Sequence, residues 1–384
     1  MAQEDVKLDP EEEAFGYLLL KDALTQEEEQ KLEVFQHEYR RKKADLFLKK
    51  FIHPLLSNAE ITGWGSVGSP KWFHRTARLS ALSSNGAFKG SSYDYPLTTS
   101  SRFLHYTTPQ TLLSILREAS IRLYDLNHMD DPKEFVFGAK DFGFTGNYYL
   151  KEARSKLFSF SMVEIDEDGD AEDFNLWQYG ANGNGVAIVF SIDPSTQHEW
   201  GNYHLGRVQY STRVPEHFDG LADKIRKFGQ AENFQVRDFE NLFVKLAAFH
   251  KSEIFEFEKE VRLLHYHEHD LFPLPRTDKR WPLDLSLDVG RNGQRSFFDR
   301  IYIGKAWESR YRLPSQIDPN GTANRLIPRL KIEKVIMGYR LNPKYVGDLC
   351  DSIHQLAHEK LGETFELKPS RFFEHFNRPH QGED

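Results

Sequence analysis

Cysteine is almost missing from these 384 residues: Cys350 stands alone. That excludes an intrachain disulfide and a thiolate metal cluster. Long apolar runs are missing too. The longest, such as Tyr17–Leu20 and Val186–Phe190, fall far short of the ~20 residues that a membrane-crossing helix needs. The opening Met1-Ala-Gln-Glu-Asp-Val-Lys7 is acidic where a secretory signal is basic and then apolar. Positive charge is not in excess either. Fifty Lys and Arg face 58 Asp and Glu, a formal net charge of -8, so no basic tail or domain announces a nucleic acid. A local basic patch stays open. The expectation is a cytoplasmic protein with no membrane partner.

Aromatic residues are plentiful, with 30 Phe and 16 Tyr, and this chain can bury a large core. Its length suits one large domain with additions, or two domains. No internal repeat is visible. Residues 1–100 read as a helical and loop-rich N-terminal extension. Thr25, followed three residues later by Glu28, predicts a capped helix start. Leu32, Phe35, Leu46, Phe47 and Phe51 give that helix a face to dock. Gly, Ser and Pro then gather over 62–70 and 81–92, which read as loops.

From about residue 100 short strands alternate with helices. Strands are predicted at Arg102–Thr108, Ile121–Tyr124, Leu157–Ser161, Val186–Phe190, Leu205–Tyr210, Phe298–Gly304 and Ile332–Gly338. Helices are predicted from Pro109 to Ala119, from Val236 to Ser252 and from Pro343 to Leu361. This order predicts an α+β fold with helices on a mostly antiparallel or mixed sheet, over residues 101–365, followed by a C-terminal tail, 366–384.

The stretch Phe255-Glu-Phe-Glu-Lys-Glu-Val-Arg-Leu-Leu264 carries the most chemistry. As a strand it places Glu256, Glu258, Glu260 and Arg262 on one side and Phe257, Val261 and Leu263 on the other. Neighbouring carboxylates raise one another's pKa unless a cation offsets them. Such a pair suits a site that stabilises positive charge or moves a proton. A helix competes here, because Ile254, Phe257, Val261 and Leu264 also fit helical spacing.

Seven segments in order resemble a bacterial family known as DUF2971. They are His105-Tyr-Thr-Thr108, Asp131-Pro-Lys-Glu134, Phe158-Ser-Phe-Ser161, Leu176-Trp-Gln-Tyr179, Gly185–Phe190, Phe257-Glu-Lys-Glu-Val-Arg-Leu263 and Ile332–Gly338. The match spans about residues 102–360. Asn127-His-Met-Asp-Asp-Pro132 departs from the family's compact Asn-Asp-Pro, and Phe257 replaces the usual Tyr. That family resembles the ADP-ribosyltransferase superfamily. The resemblance implies a split mixed or antiparallel sheet with flanking helices that cradles NAD as co-substrate. It implies Glu260 and Glu258 as catalytic residues, with His105, Tyr106, Ser159, Ser161, Tyr179 and Arg262 around NAD. It also implies transfer of ADP-ribose to a macromolecular acceptor, protein or nucleic acid, by a bacterial toxin or anti-phage defence effector. The N-terminal helices are candidates for a regulatory or antitoxin partner.

The chemistry suits those residue types. Breaking the nicotinamide–ribose bond develops positive charge on the sugar. A fixed carboxylate stabilises it. An imidazole can hydrogen-bond ribose hydroxyls, and an aromatic face can hold the planar nicotinamide. Arg262 suits the acids or the diphosphate. Structural roles stay open for each: a core histidine, core aromatics, strand-pairing serines. A second reading is a metal-dependent nuclease or hydrolase using Asp131, Glu134, Glu258 and Glu260. A third is a non-catalytic binding module on the same fold. His265, His267 and His269 alternate but lack helical zinc spacing and read as a solvated strand end.

Overall fold

A computed structural model describes residues 18, 23–59, 76–78, 88–126, 135, 138–139, 154–165, 172–200, 203–211, 220–231, 235–237, 239–267, 286–289, 295–311 and 327–373. The first half holds α1 (Gln26–Phe47), β1 (Thr76–Arg78), β2 (Arg102–Thr107), α2 (Pro109–Glu118), β3 (Ser120–Asp125), β4 (Leu157–Ile165), α3 (Phe174–Ala181) and β5 (Val186–Ile192). Next come β6 (Tyr203–Arg207), β7 (Gln209–Ser211), α4 (Leu221–Ala231), β8 (Gln235–Arg237), α5 (Phe239–Ala247), β9 (His250–Ser252) and β10 (Glu260–Tyr266). The last are β11 (Ser286–Val289), β12 (Arg295–Tyr302), α6 (Lys305–Tyr311), β13 (Leu330–Met337), α7 (Pro343–Leu356) and β14 (Glu366–Pro369).

The fold is α+β, as the alternation of elements predicts. Its main sheet has ten strands, antiparallel throughout except where β14 joins β13 in parallel. The sheet forks at β4. One edge of β4 pairs with β10 along Leu157–Val163. The other edge pairs with β3 at Phe158–Ser159 and with β2 at Val163–Ile165. Two arms leave the fork, β3–β12–β11 and β2–β5–β13–β14. Helix α2 bridges them. Thr108 caps its start, Pro109 opens its first turn, and Ala119 ends it in the left-handed region at φ 49°.

Strand alternation sends successive side chains to opposite faces. On one face Phe103, Phe158, Phe160, Ile188, Val261, Leu263 and Val335 pack against Leu112 and Leu116 of α2 and Ile353 of α7. The other face carries two separate clusters. Over β10, Leu264 joins Phe243 and Leu246 of α5, Phe228 of α4 and the α1 segment through Phe47 and Phe51. Over β2 and β5, Leu104, Ala187 and Val189 pack against Trp177 of α3 and Tyr339.

Residues 26–59, expected as part of an extension, therefore share a core with the sheet. The Thr25–Glu28 capping box forms as predicted. Leu32, Phe47 and Phe51 are buried, whereas Leu46 is exposed. At the other end, residues 366–369, expected as tail, form strand β14.

Candidate functional site

The largest departure from the sequence reading falls at its central stretch. Residues Glu253–Glu258 form a 3-10 turn, and Lys259 follows in the left-handed region at φ 43°. Strand β10 begins only at Glu260. The alternation across Phe255–Lys259 does not become a strand because this reversal breaks it. Glu256 and Glu258 accordingly leave the sheet, and Glu258 folds back toward Glu260.

The two carboxylates still meet, through a residue that the pattern did not mark. Lys251 Nζ lies 2.6 Å from Glu258 Oε2 and 2.8 Å from Glu260 Oε2. Its side chain is 6% exposed, Glu260's 4% and Glu258's 24%. A parallel pairing of β7 with β9 sets Lys251 beside Tyr210. The Glu260 N–H donates to the Tyr210 hydroxyl at 2.9 Å. No spacing rule links residue 251 to 260 through such a pair; Lys251 lay within a predicted helix, Val236–Ser252, which ends at Ala247.

Arg262 takes a different place from the expected one. Its side chain is 1% exposed. Nε donates to Glu260 Oε1 at 2.5 Å, Nη2 to Oε2 at 3.1 Å and Nη1 to the Ala248 carbonyl at 2.5 Å. Burial places it out of reach of a diphosphate, and it acts as the anchor of Glu260. Burial alone would raise the Glu260 carboxyl, but Arg262 and Lys251 outweigh it and hold its pKa at about 2. Glu260 is thus a buried, doubly paired carboxylate.

Two serines of β4 stand beside this anchor in the ladder. Register places Ser161 beside Arg262 and Ser159 beside Leu264. Both serines are half-buried, while Phe158, Phe160 and Met162 on the reverse of β4 are buried. By strand alternation the two serines lie on the same side of the sheet as Glu260 and Arg262. Tyr179 stands near the end of α3. Tyr179 is 78% exposed, and its ring lies 5.4 Å from that of Phe257 in the 3-10 turn.

Two expected residues do not join. Tyr106 packs edge-on against Trp177, with ring centroids 5.0 Å apart, and its hydroxyl accepts from the Asp173 N–H at 3.4 Å. A Cβ on Gly180 would stand 2.7 Å from the Tyr106 Cβ, so the helix needs glycine there to sit this close. Tyr106 is a packing residue. His105, one position earlier, points to the opposite face, with its ring 4.6 Å from Phe160. Its Nδ1 lies 2.9 Å from the Ser161 carbonyl, so Nδ1 carries the proton and Nε2 remains an acceptor. Burial lowers its pKa.

A second anchor is one that the sequence pattern did not mark. Buried Glu172 accepts from Trp177 Nε1 at 2.9 Å, from Ser370 Oγ at 2.5 Å and from the Arg371 N–H at 3.1 Å. The C-terminal segment thereby ties down the helix that carries Tyr179. The histidine run is also corrected. His265 and His267 are buried, with Tyr203 stacked 4.2 Å from the His265 ring and Asp299 Oδ2 2.9 Å from its Nδ1. His269, Asp131 and Glu134 lie outside the described residues. Among the described residues, no group of three or more His, Cys, Asp or Glu gathers as metal ligands, and no helix is long and apolar enough to cross a membrane.

Comparison with protein-family models, with characterised proteins and with solved structures returned no match.

Proposed function

We propose that this chain breaks the nicotinamide–ribose bond of NAD and transfers ADP-ribose to a macromolecular acceptor, a protein or a nucleic acid. The observation that supports this reading is the setting of Glu258. It is a partly exposed carboxylate fixed by a buried ammonium, and its chain neighbour Phe257 pairs with the exposed Tyr179 ring. The donor set fits parts of NAD. A tyrosine ring suits the planar base, the Ser159 and Ser161 hydroxyls suit sugar hydroxyls, and an ionised carboxylate suits the cationic sugar.

In this reading Glu258 faces the reacting ribose, and Glu260 holds the cations behind it. The diphosphate falls to Arg122. That residue lies on the same sheet face as Ser159, two positions before Tyr124, which pairs with Ser159. Its guanidinium lies 4.5 Å from the Phe298 ring and bonds Glu118 at 2.6 Å. A role as toxin or defence effector rests on the family resemblance alone.

One observation favours a second reading, the non-catalytic binding module: Glu260 has both oxygens closed by Arg262 and Lys251. The metal-dependent alternative depends on Asp131 and Glu134, outside the described residues. Incubation with cell extract and NAD labelled in the adenylate separates these. Protease-sensitive or nuclease-sensitive label on macromolecules supports transfer and names the acceptor class. NAD binding without label or nicotinamide release supports the binding module. Neither binding nor turnover by folded protein removes the proposal.

A further inference from the structure

We infer that Lys251 is the positioning residue of this site, fixing the Glu258 carboxylate in place and charged while Glu260 holds the ammonium from behind. The inference rests on the reading of Glu258 above. A lysine on a three-residue strand is ordinarily a solvated surface group, yet this one is buried. Burying an ammonium is unfavourable unless carboxylates receive it. Glu260 alone does not explain its presence, because Arg262 already gives Glu260 two hydrogen bonds. Lys251 also bonds Glu258, at 2.6 Å, the more exposed of the two acids.

The surroundings leave the ammonium little freedom. Glu260 and Arg262 face it from β10, Glu258 from the 3-10 turn and Tyr210 from β7. The Phe255 ring lies 5.5 Å from Nζ. His250, its neighbour on β9, is directed instead to the Tyr93 hydroxyl at 2.8 Å. Because one Nζ touches both acids, Glu258 and Glu260 are close enough to oppose each other's ionisation once it is removed.

The test compares wild type with Lys251→Met and Lys251→Arg. Two readouts are used, the pH dependence of nicotinamide release from NAD and the titration of the Glu258 carboxyl by ¹³C NMR. In Lys251→Met the acid limb of the rate profile and the Glu258 titration should both move up by about 1–3 pH units. At neutral pH kcat should fall roughly tenfold or more, the scale of a lost acid–base or charge-stabilising setting, with KM for NAD little changed. Lys251→Arg should return the titration toward wild type. If Lys251→Met does not fold, Lys251→Gln, which keeps donor hydrogens, carries the same expectation. A folded neutral variant with both readouts unmoved overturns the inference. If wild type releases no nicotinamide, the proposed function fails while the Glu258 titration still decides the role of Lys251.

Discussion

His105 Nδ1 donates to the carbonyl of Ser161 at 2.9 Å, across the place where the sheet divides. Among the described residues, strand β4 has no ladder partner on that edge between its pairings with β3 and β2. The imidazole fills the vacancy. Replacing it with alanine leaves a carbonyl at the fork without its partner, which should lower stability by about 1–3 kcal/mol. Urea unfolding of His105→Ala measures this. A wild-type midpoint with an unchanged slope would show that the imidazole does not serve the Ser161 carbonyl.

Glu260 and Arg262 should behave as a unit. Removing Glu260 takes the carboxylate from the buried Arg262 guanidinium, and removing Arg262 leaves Glu260 to Lys251, so Arg262→Met should cost about 1.5–3 kcal/mol, the scale of lost hydrogen bonds to a charged group. The double variant Glu260→Leu/Arg262→Met should cost less than the sum of the two single changes, a coupling read from a double-mutant cycle. Additive single effects would mean that the pair is not closed as described.

The acid side of the stability curve is set first by histidines. Burial lowers His204 to about 3 and His250 to about 4. A histidine whose pKa is lowered by folding takes up its proton preferentially when unfolded. Its contribution is therefore complete above the unfolded value near 6.5 and is lost as pH falls toward the folded one. Between pH 7 and pH 5 each should remove about 2 kcal/mol. His105 acts in the same direction. Glu260 has the opposite charge logic: its stabilisation, present above about 4.5, is lost only as pH falls toward about 2. Unfolding free energies at pH 7, 6 and 5 should already fall. A flat profile down to pH 5 would contradict the buried neutral imidazoles.

Lys259 makes the reversal that separates Glu258 from Glu260. At φ 43° it occupies a region that glycine adopts without strain. Lys259→Gly should be neutral or stabilising by up to about 1 kcal/mol, and Lys259→Val destabilising by about 1–2 kcal/mol. Thermal melts of the two variants check the order. The reverse order would show that the turn does not exist in this form.

Much of the framework was legible in the sequence. Alternating or continuous apolar segments such as Leu157–Ser161, Val186–Phe190 and Ile332–Gly338 became strands, because burial on at least one face fixes their period. Thr25 and Pro109 marked helix starts because their local chemistry needs no distant partner. The fork was not legible, since it depends on which strands share the two edges of β4. Nor was the turn at Glu253–Glu258, where the same alternation of Phe and Glu satisfies a strand until one backbone angle reverses at Lys259. Lys251 and Glu172 were missed for a shared reason. Each acquires its role from partners brought in by tertiary pairing: Glu260 through the β7–β9 ladder, and Ser370 and Arg371 through the segment after β14.

The most direct test of the central claim is nicotinamide release from NAD by the purified full chain, with and without cell extract, beside Glu258→Gln. Wild type should release nicotinamide, and the variant should lose roughly a hundredfold or more, the scale of losing a group that stabilises developing charge, with folding intact. Equal release by both proteins would remove Glu258 from the chemistry. No release and no NAD binding by folded wild type, with extract present, would contradict the NAD reading itself.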